Sequence, residues 1–260
     1  MEVADILHAM TALIPGAEPW SHHGTTPFGA LVLHGFTGNP GSVRGVAEAL
    51  AAAGLHVELP LLPGHGTVVD DMLPTRWADW AGAAEAAYRT LAARVQKVVV
   101  VGLSMGGALA LRVAADHPEV AGLVCINPVA VPQPDDVLTT VRVMLDGGTQ
   151  LIPAIGSDIA DPDARESAYD GTPLAPLLSM MVDGITPLVP TYPTTVMPLL
   201  LMNSPQDHVV APAASDYLAA HYGGPVERIS LERSYHVATQ DYDRDLIFAA
   251  TVAFAQRVVV

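Results

Sequence analysis

The hexapeptide Gly102-Leu103-Ser104-Met105-Gly106-Gly107 sets a serine between glycines two residues away on either side. Before it runs the wholly β-branched Val98 to Val101, and after it Met105 to Asp116 has a helix-forming composition. Glycines at those offsets permit a strand-to-helix turn too tight for larger side chains. Such a turn holds the Ser104 hydroxyl out of the sheet, with a helix N-terminus behind it. A serine that merely caps the helix is the bland alternative. The nucleophilic reading needs two more groups: a base to take the hydroxyl proton and a carboxylate to orient that base.

Ten histidines compete for the base. His236 is favoured because Ser234-Tyr235-His236 lies between the last strand-like run and the last helix, near the carboxyl edge of the sheet. His34 reads as a strand-end residue beside the site and His65 as part of a glycine-flanked loop. His22, His23, His56, His117 and His221 read as solvated or structural. For the carboxylate, Asp207 follows the strand-like Met197 to Met202, giving the chain order Ser104, Asp207, His236 expected of a serine elbow of this type. Asp135 and Asp136 are rivals placed well past the end of the preceding strand. Asp241 reads as a helix-start residue. Negative charge developing on the carbonyl oxygen calls for fixed backbone donors. The Met105 N–H, just after the serine, is one, and the Phe36 N–H, in His34-Gly35-Phe36-Thr37-Gly38, is the other.

These residues need elements to position them. Apolar strand-like runs at Ala30 to His34, Leu55 to Leu59, Val98 to Val101, Gly122 to Ile126, Met197 to Met202 and Val226 to Leu231 alternate with helix-length stretches. Those stretches are Val43 to Ala53, Trp77 to Arg94, Met105 to Asp116, Ala213 to His221 and Asp243 to Val258. Strands apolar on both faces and separated by helices predict an α/β protein with a mostly parallel central sheet covered on both sides. The rhythm breaks after Asn127. Residues 128–195 are rich in Pro, Gly and Asp, with helical pieces at Asp136 to Leu145 and Pro173 to Val182, and read as a cap inserted above the sheet. Core segments are then 15–127 and 196–260, with residues 1–14 as an N-terminal extension.

The 260 residues are 50% apolar and 15% charged, which predicts a large buried core and excludes a disordered chain. A single cysteine, Cys125, excludes a disulfide framework. The net charge of -15 repels phosphate backbones and anionic lipid, so no nucleic-acid partner is expected. Val98 to Leu111 is too short, and Thr186 to Pro205 too rich in proline, to span a bilayer. The start Met1-Glu2-Val3-Ala4-Asp5 lacks the basic residues of an export signal, and the unpaired thiol fits a reducing interior. A soluble, cytoplasmic protein is expected, as monomer or homodimer, with a small ester as its substrate. No cofactor and no metal are expected. There is no His-Glu-x-x-His, and no Lys-Ser/Thr follows the glycines around Ser104.

The segments His34 to Pro40, Leu62 to Gly66, Gly102 to Gly107, Ser204 to Val210 and Ser234 to Asp241 together resemble the bacterial carboxylesterases and monoacylglycerol lipases of the α/β-hydrolase fold. The resemblance runs from about residue 15 to the C-terminus and is weakest through the cap; Met1 to Met10 lie beyond it. It implies the α/β-hydrolase fold, a Ser104, Asp207, His236 triad and an oxyanion hole at Phe36 and Met105. The implied activity is cleavage of short- to medium-chain carboxylic esters, or alternatively of monoacylglycerols. Epoxide- and halide-cleaving relatives use an aspartate where this chain has Ser104. Haloperoxidases and carbon–carbon hydrolases keep the serine triad and are less firmly excluded, and a ligand-binding receptor without turnover is the reading from another class. A peptidase would need charged groups to hold an amino terminus. Asp158, Asp161, Asp163, Glu166 and Asp170 could supply them but read first as a solvated surface, with contact to a polar alcohol group as a second reading for Glu166. Trp77 and Trp80, three apart on one helix, read as packing that helix onto the sheet. Met144, Leu178, Met180 and Met181 read either as an acyl pocket or as the cap's own core.

Overall fold

The computed structural model describes residues 12–154 and 157–260. Met1 to Met10, and with them most of the expected N-terminal extension, lie outside the described residues. Seven strands form the main sheet: β1 (Trp20–His22), β2 (Phe28–Leu33), β3 (His56–Leu59), β4 (Lys97–Leu103), β5 (Gly122–Ile126), β8 (Leu199–Asn203) and β9 (Val226–Ser230). Their order is β1-β3-β2-β4-β5-β8-β9. Every pairing is parallel except that of the edge strand β1, which runs antiparallel to β3.

Period-2 alternation divides the apolar strand residues between two faces. On one face Leu31, Leu33, Val98, Val100, Leu123, Cys125, Leu199 and Leu201 join a buried cluster. This cluster also takes in side chains of α3 (Trp77–Ala92), α4 (Met105–Asp116) and α8 (Ala213–His221). On the other face Ala30, Val32, Val99, Val101, Val124, Ile126, Leu200 and Met202 pack with α1 (Arg44–Ala52) and α9 (Arg244–Val259). The central strands therefore read as continuous apolar runs because both faces are covered. In the edge strand β9, Val-Glu-Arg-Ile-Ser, only Val226 and Ile229 are half-buried, one against each cluster, and the other three residues are exposed. Each fully buried leucine stabilises the fold by about 1.5–3 kcal/mol.

Between β5 and β8 the chain leaves the main sheet. It forms α5 (Asp135–Asp146), a two-stranded sheet of β6 (Leu151–Pro153) and β7 (Gly171–Pro173), α6 (Leu174–Ser179), a π-helical turn at Met180–Ile185 and α7 (Thr186–Leu188). The small α2 (Val69–Met72), the edge strand β1 and the β6–β7 pair are additions to the elements read from the sequence. The helix expected over Pro173 to Val182 is divided at Met180. A Cβ on Gly184 would lie 2.4 Å from Trp77 Cδ2, so the backbone sits directly on the indole. Thr186 Oγ1 then donates to Met181 O at 2.9 Å, widening the turn. Leu174–Thr194, taken as one run, is among the described residues the single helical stretch long and apolar enough to cross a membrane, with mean hydropathy 1.3. Its Leu174, Met180, Ile185 and Tyr192 are buried in the protein.

Candidate active site

At the junction of β4 and α4, Ser104 has φ 58° and ψ -119°, a conformation that L-residues avoid and that turns the chain sharply. A Cβ on Gly102 would stand 2.0 Å from Gly106 O, and one on Gly106 would stand 2.1 Å from Leu33 O. Backbone would have to move in both cases, so the two glycines are required by close approach. Ser104 lines a cavity of about 590 Å³. His236 lines the same cavity, contributed by the loop after β9.

His236 Nδ1 meets Asp207 Oδ2 at 2.7 Å. Asp207 Oδ1 accepts the Val209 and Val210 N–H groups, each at 2.8 Å, so the carboxylate is held from both sides. An ionised carboxylate only accepts, which puts the imidazole proton on Nδ1 and leaves Nε2 as a lone-pair acceptor. No hydrogen bond joins Ser104 Oγ to His236 among the described residues; in unliganded enzymes such contacts are often long. Phe36 and Gly35 also line the cavity. The Phe36 N–H and the Met105 N–H, the first of α4, have no acceptor among the described residues.

The structure thus gathers Ser104, Phe36 and His236 around one cavity, with Met105 beside the serine and Asp207 behind the histidine. Asp135 and Asp136 are exposed in the first turn of α5 and line no part of it. Asp241 is not a helix-start residue. It is 1% exposed, and its carboxylate accepts from the Tyr235, Ala160 and Asp161 N–H groups. It therefore ties the histidine loop to the inserted segment. Asp243, in the N-cap position of α9, instead accepts from Ser234 Oγ.

Two further residues escaped the sequence reading. Asn127, at the end of β5 with φ 43°, donates through Nδ2 to Ser204 Oγ, Tyr235 O and His236 O, and accepts Ser204 N–H at 2.8 Å. One amide joins the acid loop to the base loop. Its signal in the sequence was the breaker pair Asn127-Pro128 directly after a strand. Asp158, expected on a solvated surface, lines the cavity and accepts the His208 and His236 N–H groups at 3.1 Å. Glu166 is corrected likewise. Its carboxyl lines the cavity beside Gly38, and burial pushes its pKa up despite the opposing pull of His236.

Leu177, Met180, Met181, Val209, Val210 and Ala214 supply apolar wall, so two of the four singled-out cap residues face the cavity while Met144 and Leu178 do not. Trp80 joins the core as expected and also donates Nε1–H to Pro63 O, its ring edge-on to Phe36 at 5.6 Å. Cys125 is a bystander: buried, directed at Gly107 O, its thiol pushed up to about 12 by desolvation. No cluster of three or more metal-ligating side chains occurs among the described residues.

Comparison with known proteins identifies the family. Residues 30–250 match the Alpha/beta hydrolase family. The chain is 40% identical over 246 residues, 93% of its length and 95% of the relative's, to a thermostable monoacylglycerol lipase of Bacillus sp. (strain H-257). It is 23% identical over 234 residues to a carboxylesterase of Bacillus subtilis (strain 168), covering 88% of this chain and 92% of that one. Among solved structures, one from a study of the metagenome-derived lipolytic enzymes LipS and LipT superposes with TM-score 0.88 at 37% identity. It covers 95% of this chain and 100% of the other.

Proposed function

The chain belongs to the alpha/beta hydrolase family and is a carboxylic ester hydrolase; from that premise we propose that it works through a serine acyl-enzyme, with residues 128–195 as the cap over the site. The observation that carries the proposal is the Asp207-bound imidazole of His236 opening on the cavity that holds strained Ser104. Ser104 Oγ attacks the ester carbonyl while His236 Nε2 takes its proton. Asp207 stabilises the imidazolium, and the Phe36 and Met105 amides hold the oxyanion. His236 then returns the proton to the departing alcohol. Water enters, the same nitrogen activates it, and the acyl group leaves as a carboxylic acid. The residues invoked need no metal or organic cofactor.

For the substrate, the apolar wall of Leu177, Met180, Met181 and Val210 supports short to medium acyl chains. A second reading, hydrolysis of monoacylglycerols, is favoured by a specific observation. Carboxyl groups of Asp158 and Glu166 stand in the cavity as acceptors for alcohol hydroxyls, and the Bacillus relative carries that activity in its name. A ligand-binding receptor would be labelled by a fluorophosphonate but would turn over esters very slowly. The test is labelling at Ser104, then a chain-length series of nitrophenyl esters beside monoacylglycerols. Loss of labelling and turnover in Ser104→Ala is expected; ordinary turnover in that variant sinks the serine mechanism. Preference for two- to six-carbon acyl groups selects the general esterase, and markedly faster glycerides select the lipase.

A further inference from the structure

We infer that His34 is a positioning residue for the oxyanion hole: as the neutral tautomer protonated on Nδ1, it locks the Gly35–Phe36 peptide plane that presents the Phe36 N–H. The inference rests on the serine mechanism proposed above and adds to it a residue that touches no substrate.

Gly35 C=O and Phe36 N–H belong to one planar peptide unit and point in opposite directions, so fixing the carbonyl fixes the donor. Two torsions set that plane, ψ of Gly35 and φ of Phe36, and Gly35 has no Cβ to restrict the first. A Cβ there would crowd the nucleophile, approaching Ser104 Cβ to 3.3 Å. A glycine beside the serine avoids that crowding and leaves the peptide to be held by a side chain outside it.

His34 does so. Its Nδ1 lies 3.0 Å from Gly35 O, and its Nε2 accepts the Leu62 N–H at 3.1 Å. A backbone amide can only donate, so Nε2 carries no proton, and the neutral ring must carry it on Nδ1, where it is given to Gly35 O. His34 is fully buried, and His65 packs edge-on with ring centroids 5.0 Å apart. Burial, then the nearby His65, hold the His34 imidazole down to about 3, so it stays neutral at working pH. The Leu62 end is itself anchored, because Pro63 O accepts from Trp80 Nε1 and from His65 Nδ1. Donors and acceptors then align in series from Leu62 through the imidazole and the Gly35–Phe36 peptide to the oxyanion. A hydrogen bond on the carbonyl polarises the amide and strengthens its N–H as a donor.

Two substitutions divide the ring's two bonds. In His34→Asn an amide N–H near the Nδ1 position still reaches Gly35 O, while Leu62 N–H loses its acceptor. In His34→Gln the amide oxygen reaches Leu62 N–H, while Gly35 O loses its donor. With a nitrophenyl butyrate substrate, His34→Gln is expected to lower kcat about 10- to 100-fold at unchanged KM, less than outright removal of a donor. His34→Asn is expected to stay within a few-fold of the parent. Affinity for a phenylboronic acid, whose tetrahedral adduct occupies the oxyanion hole, should fall in step with kcat. Equal kcat in the two variants, or a kcat loss without loss of boronate affinity, overturns the assignment. Should either variant fail to fold, 15N NMR of the imidazole in the unmodified protein decides: protonation on Nδ1 at pH 7 supports it, and protonation on Nε2 overturns it. Ser104→Ala, run alongside, separates the two readings. An inactive Ser104→Ala with equal Asn and Gln variants removes the role of His34 alone, and an active one removes the mechanism beneath it.

Discussion

The sheet core and the segment inserted between β5 and β8 contribute to one cavity by different physical means. In the core, Ser104 and Phe36 follow closely on strands whose register is fixed by neighbouring strands, such as Leu33 opposite Gly102 and Gly102 opposite Cys125, while His236 comes from the loop after β9. The turn at Ser104 follows from backbone geometry in which Gly102 and Gly106 leave no room for a Cβ. In the inserted segment, Asp158, Glu166 and Met180 are placed by scattered tertiary bonds. Asp241 holds the Ala160 and Asp161 N–H groups, Asn39 Nδ2 donates to Ser167 O at 2.5 Å, and Tyr169 N–H donates to Thr37 O at 3.2 Å. Under the proposed function the contrast becomes a division of labour: on that reading the core governs whether an ester is cleaved, and the insertion governs which ester.

The severest way to break that division is to remove chemistry from the core. Ser104→Ala and His236→Ala are each expected to lower kcat about 10⁶-fold, and Asp207→Asn about 10⁴-fold, in steady-state assays. Next comes Asn127→Ala, which strips the amide joining the acid and base loops. Its urea midpoint should fall by an amount equivalent to about 3 kcal/mol, since buried partners are left unpaired. A midpoint unchanged from the parent would mean that those loops hold themselves.

A gentler probe uses pH. His34 and His65 are held at about 3 and about 4 in the folded protein, in both cases chiefly by desolvation. Once unfolded they take up protons below about 6.5. The unfolded chain therefore binds more protons than the folded one below pH 6.5, so this contribution to stability is complete above that pH and is lost as pH falls toward 4. Each histidine should account for roughly 1.4 kcal/mol per pH unit across that window. Thermal melts from pH 7 to 4.5 should show the decline, and His65→Gln should flatten it.

The smallest effects are expected in the insertion. Glu166→Gln should raise KM for a monoacylglycerol about tenfold, the loss of one hydrogen bond to a charged acceptor, with little change for nitrophenyl acetate. Met181→Ala should move the preferred acyl chain to greater length while kcat on the best substrate changes only a few-fold. Equal effects of Glu166→Gln on both esters would merge the roles of the two regions.

The same contrast explains what could be read in advance. The strand β5 and the helices α4 and α8 stand where the apolar runs placed them, because core strands covered on both faces leave a continuous apolar signature. Ser104, Asp207 and His236 were legible because a turn this tight and a fixed chain order leave few choices of residue. The edge strand β1 and the β6–β7 pair were not legible, each being three residues long and set by its partner. Asp158 carried no local signal. Its neighbours in sequence are ordinary, and its partners His208 and His236 lie 50 and 78 residues away.

By itself, then, the sequence determined the alternation of strand and helix and the serine turn, because both are enforced by short-range stereochemistry, and its chain order singled out Asp207 and His236 as the candidate acid and base. Only the tertiary structure decided that Asn127 joins two loops, that Asp158 and Glu166 face the cavity, and that His34 bridges Leu62 to the Gly35 carbonyl. Those are contacts between distant segments, and no local pattern encodes which distant group a buried polar atom will find.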